Sequence, residues 1–79
     1  MQKKLHLTAV IWPEGKAYVS HCPELGVASY GKTPAKARLA LQEAVELWVS
    51  NARKLGLLDD VLVSLEKEER YTAPMEIAV

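Results

Sequence analysis

The chain opens on an alternation. In Lys4–Trp12, Leu5, Leu7, Ala9 and Ile11 recur at every second position, with His6, Thr8, Val10 and Trp12 between them. Successive side chains of a strand leave opposite faces, so residues 4–12 predict a strand with one wholly apolar face. Pro13-Glu14-Gly15-Lys16 then supplies turn chemistry, Pro presetting φ and Gly accepting a positive φ. The run Ala17-Tyr18-Val19-Ser20-His21-Cys22 is rich in strand formers, and the two runs predict a hairpin. Pro23-Glu24-Leu25-Gly26 is a loop, and Val27-Ala28-Ser29-Tyr30 is a short third strand stopped by Gly31. The three strands make an antiparallel meander.

At Thr33 the period changes. A hydroxyl N-cap followed by Pro34 in the first helical position opens a stripe of Ala37, Leu41, Ala44, Val45, Trp48, Ala52 and Leu55. Those spacings of three and four describe one face of a helix about five turns long. Arg53 and Lys54 lie in its last turn, where positive charge meets the helix dipole favourably, and Gly56 is the left-handed stop.

Beyond Gly56 the signal is weaker. Asp59 or Asp60 can cap a second helix with Val61, Leu62 and Leu65 on one face and Glu66 to Arg70 in solvent, although Val61–Leu65 also reads as a strand. Thr72-Ala73-Pro74 breaks the chain before Met75-Glu76-Ile77-Ala78-Val79, whose alternation predicts a closing strand beside the first. The order β-β-β-α-(α)-β, without repeat or linker, predicts one domain over residues 1–79: an α+β two-layer sandwich with one sheet face under the Trp48 helix. The other face has no second layer. An uncovered apolar face marks an interface, so Val10, Trp12, Tyr18 and Tyr30 are expected to form a homo-oligomer contact, either by that face or by a sheet edge.

Size and charge add to this. Seventy-nine residues bury only about 60% of the unfolded surface, which also favours oligomerisation. Ten basic and ten acidic side chains cancel, against the surplus of Lys and Arg that a phosphate-neutralising protein carries. The cancellation hides a split: residues 1–38 hold six basic and two acidic groups, residues 39–79 four and eight. Cys22 is the only cysteine, no segment resembles a signal peptide, and no apolar run approaches a membrane span, so a cytoplasmic protein is expected.

The candidate chemistry is thin. Ser20-His21-Cys22 sets three reactive side chains in a row, but neighbours on a strand face opposite ways, so His21 cannot activate Cys22. His6 and His21 lack the third ligand of a metal site. Asp59-Asp60 is explained by capping, and Gly26–Gly31 lacks the spacing of a phosphate loop. No catalytic residue, metal or cofactor is assigned, and the chain is not expected to be an enzyme.

The run Pro23-Glu24-Leu25-Gly26-Val27-Ala28-Ser29-Tyr30-Gly31-Lys32-Thr33-Pro34-Ala35-Lys36-Ala37, followed by Leu41-Gln42-Glu43-Ala44-Val45-Glu46-Leu47, resembles the HicB-like antitoxin family. The shared pattern is a Pro-acidic-Leu loop, a short strand, Gly-x-Thr, a helix with Glu-Ala and a closing strand. The resemblance implies a partial ribonuclease H-like fold without that enzyme's acidic metal ligands. It also implies a function: neutralising a small HicA-type RNA-cleaving toxin within a type II toxin-antitoxin system. Lys32 and Lys36 stand where the family commonly has acidic residues. The family's C-terminal DNA-binding segment has no counterpart before Val79, so operator binding is not expected. For a basic partner the acidic candidates are Glu43, Glu46, Glu66, Glu68 and Glu69. The alternatives are a solitary homo-oligomeric binding module and a single-stranded nucleic-acid binder stacking bases on Trp12, Tyr18 and Tyr30.

Overall fold

The computed structural model describes residues 5–67, 71 and 73–79. Strands β1 (Val10–Glu14), β2 (Ala17–Cys22) and β3 (Val27–Gly31) are followed by helices α1 (Pro34–Lys54) and α2 (Leu58–Lys67). The strands form an antiparallel sheet in the order β1-β2-β3, and α1 packs across one face of it, an α+β arrangement in two layers.

The register follows from the first turn. Glu14 pairs with Ala17, so the loop is only Gly15-Lys16, narrower than the four residues read from the sequence. Gly15 has φ +62° and Lys16 does not have a positive φ, which is the II′ pattern that matches the twist of a hairpin. A two-residue turn makes Glu14–Ala17 a hydrogen-bonded pair and Pro13–Tyr18 a non-hydrogen-bonded one, so Pro13 sits in an edge strand without removing a ladder bond. β1 also starts later than expected. Continuing the register sets Thr8 opposite Pro23, which has no N–H and turns the chain away, so residues 5–9 run past the sheet unpaired.

Cross-strand rows define the two faces. Ile11–Ser20–Ser29, Pro13–Tyr18–Gly31 and Cys22–Val27 lie on the α1 side; Val10–His21–Ala28 and Trp12–Val19–Tyr30 lie on the open side. Among the described residues the buried ones are Ser20, Cys22, Ala37, Leu41 and Ala52, mostly small because sheet and helix approach closely. Gly31 marks the tightest point, where an added Cβ would lie 2.5 Å from the backbone nitrogen of Ala37.

α1 begins and ends as the sequence predicts. The Thr33 hydroxyl accepts the Lys36 N–H at 3.1 Å, and Pro34 occupies the first turn. At its end Gly56 (φ +72°) donates to Arg53 and Leu57 donates to Ala52, a Schellman motif. Leu55, expected on the buried stripe, is instead 72% exposed, because the cap carries the chain away from the sheet. Of the two readings of Val61–Leu65, helix holds. Asp59 and Asp60 fall within the first turn of α2 and do not cap it, favoured there by the helix dipole.

The closing strand at Met75–Val79 does not form. Residues 73–79 have no regular structure, and Met75, Ile77 and Val79 are exposed. Alternation makes a strand only where a backbone edge accepts it, and this segment does not lie on one.

Candidate functional site

The most structured polar feature joins the segment before β1 to the loop after β2. Glu24 accepts the Thr8 hydroxyl at 2.7 Å and the Thr8 N–H at 3.1 Å, so one carboxylate clamps both groups of a residue sixteen positions away. Burial pushes the Glu24 carboxyl up, but the Thr8 hydrogen bonds outweigh it and hold the group below the usual carboxylate range. The Cys22 thiol donates to the same carboxylate at 3.6 Å. Burial pushes this thiol up, and the adjacent Glu24 charge adds to that effect, so Cys22 is an inert core group. The clamp is not legible in the sequence; the acid after Pro23 marks one half, and only the fold supplies Thr8.

The clamp opens a groove. Residues 5–9 stand beside α1 with a cavity of about 650 Å³ between them, lined by Leu5, Leu7 and Ala9 on one side and Leu41, Val45 and Val49 on the other, with Arg38, Gln42, Glu46, Ser50 and Arg53 also along α1. A smaller cleft of about 190 Å³ lies between Trp48, Leu25 and Val61, so Trp48 bridges α1 to α2 and does not sit under the sheet.

The open sheet face carries the second feature. Val10 and Trp12 are 42% and 40% exposed, Tyr30 is 74% exposed, and half-buried Val19 lies between Trp12 and Tyr30 in one cross-strand row. Tyr18, expected to join them, lies on the helix side opposite Pro13 and Gly31, because the two-residue turn sets its parity. Val19 and His21 take its place on the open face.

The remaining candidates are dispersed. His21 lies on the open face and Cys22 beneath α1, so the Ser20-His21-Cys22 row is split between faces. His21 pairs with Val10, four positions from His6. Among the described residues no group of three or more His, Cys, Asp or Glu side chains gathers to hold a metal.

Glu43, Glu46 and Glu66 lie exposed on two helices, while Glu68 and Glu69 fall outside the described residues. Glu46 accepts from Gln42, which in turn accepts from Arg38, so a hydrogen-bonded ladder runs along this edge of α1. The surface there carries both signs of charge. Among the described residues no helix is long and apolar enough to cross a membrane. Compared with known proteins, the chain matches no family model, no curated protein and no solved structure.

Proposed function

We propose that this chain is a non-catalytic protein-binding module, a HicB-like antitoxin that neutralises a HicA-type RNA-cleaving toxin and works as a homo-oligomer. The single observation that supports this best is the uncovered sheet face, where Val10, Trp12, Val19 and Tyr30 present an apolar, aromatic surface on a rigid hairpin. Such a surface suits a macromolecular partner, since aromatic side chains give large contact area at low entropic cost. The run that carries the family resemblance is also structurally coherent: Glu24 holds the clamp, Gly31 admits α1 and Thr33 caps it. The exposed carboxylates of Glu43, Glu46 and Glu66 favour approach of a basic toxin.

The test is RNA cleavage by a purified HicA-type toxin, taken from the neighbouring reading frame if that frame encodes a short basic protein. Equimolar addition of this chain should abolish cleavage, and full cleavage at a tenfold excess would overturn the reading. Replacing Glu66, Glu68 and Glu69 with Lys should slow association and weaken its salt dependence.

The shared face of Trp12 and Tyr30 favours one second reading, base stacking by a single strand. Quenching of Trp12 fluorescence by oligonucleotides at low salt would support it, and unchanged emission would remove it.

A further inference from the structure

Two apolar features of this chain are left uncovered, and they match. One is the groove between Leu5, Leu7 and Ala9 and the α1 residues Leu41, Val45 and Val49. It lies beside residues 5–9, which lead into β1, an edge strand whose outer side has no partner strand among the described residues. The other is the segment at residues 75–79, in which Met75, Ile77 and Val79 alternate with Glu76 and Ala78 and are all exposed. The radius of gyration, 14.5 Å with a long axis of 44 Å, exceeds the roughly 12 Å of a compact chain of this length, so part of the molecule stands away from its body.

We propose that the groove receives the C-terminal arm of a second copy, residues 75–79 adding as a strand to the β1 edge in a reciprocal two-fold exchange. Period two sends Met75, Ile77 and Val79 to the same side, where Leu41, Val45 and Val49 line the groove, and sends Glu76 to the opposite side, where it stays in water. Exchange closes with two-fold symmetry, so both arms and both grooves are filled within one dimer.

The area reaches the low end of what a stable interface needs. Burying a Met, Ile or Val side chain removes about 60–120 Å² from water, and six of them with the walls they cover remove roughly 700–1,400 Å². Stable interfaces begin near 1,200 Å², and main-chain pairing adds to the apolar term. A core as small as this one gains from such closure. The exchange does not depend on what the open face binds, and its test is independent of the toxin assay.

The experiment is sedimentation equilibrium of the full chain and two variants. The wild type should have twice the 8.8 kDa mass of one chain. Ile77→Asp, on an exposed arm that folding does not use, should weaken the dimer about a hundredfold or more, because symmetry counts the loss twice. Ala9→Arg, at an exposed position on the groove wall, should do the same. Circular dichroism confirms that both variants fold. Mixing them joins an intact groove to an intact arm, and a one-armed heterodimer should appear. A monomeric wild type, a dimeric Ile77→Asp or a mixture that stays monomeric would each overturn the proposal.

Discussion

Gly31→Ala tests the central packing claim, that sheet and helix meet at a position where only hydrogen fits. The added Cβ would lie 2.5 Å from the Ala37 nitrogen and 2.7 Å from the Lys36 carbonyl carbon. Both are backbone atoms, so no rotamer change relieves the contact. Restoring an ordinary 3.4 Å means moving the first turn of α1 by about 0.9 Å, which draws buried Ala37 and Leu41 off the sheet. Overpacking of this kind costs about 2–3 kcal/mol. A chain of 79 residues has roughly 4–12 kcal/mol of stability in total, so the loss is a large share. Near the midpoint each kcal/mol shifts Tm by about 4–8 °C at this size, giving an expected drop of about 8–24 °C. Thermal denaturation followed by circular dichroism measures it. Gly15→Ala is the control: nothing lies within 4 Å of its Cβ, and its cost of about 1–2 kcal/mol comes from φ +62° alone. A Gly31 variant that melts within 3 °C of wild type, or above the Gly15 variant, would refute the close approach.

Three further outcomes are expected. Thr8→Ala should cost about 1 kcal/mol at pH 7, a charge-assisted pair discounted for solvent screening. Because the folded Glu24 carboxyl lies below its ordinary 4.5, that stability is present above pH 4.5 and is lost as pH falls through the folded value; a urea-midpoint difference that does not shrink on acidification below pH 4.5 would contradict the clamp. Ser20→Ala should be neutral or raise stability by up to about 1 kcal/mol, since its buried Oγ has no hydrogen-bond partner; a loss above 1 kcal/mol would show that the hydroxyl is satisfied. Trp48→Ala should cost about 2 kcal/mol, less than the 3–5 kcal/mol of a fully buried aromatic, and hydrogen exchange should quicken in α2 while β2 stays protected.

The elements legible in the sequence are those with local causes. α1 needs only Thr33, Pro34, a stripe of period 3.6 and Gly56, all contained in one segment, and both its ends fall where the residues place them. The ambiguity of Val61–Leu65 is physical, since a run of that length satisfies either period until Trp48 and Leu25 offer a helix somewhere to dock. Of the candidate site, Val10, Trp12 and Tyr30 are legible as exposed apolar positions, whereas the face that Tyr18 joins is not. Parity on β2 is set by the number of residues in the turn, and one residue more would exchange its faces. The acidic set is legible as composition alone; whether carboxylates share a surface depends on how α1 and α2 lie.

By itself, the sequence determines that this chain has a strand hairpin, a third strand and a long capped helix, because dihedral preference, capping and periodicity act within a few residues. Only the tertiary structure decides where β1 starts, which face Tyr18 joins, that Glu24 reaches Thr8, and that Met75–Val79 stands apart from the sheet. Each of those depends on groups distant in the chain meeting in space. A strand needs a neighbour's backbone and a clamp needs a distant hydroxyl, and neither requirement leaves a mark on the residues that await it.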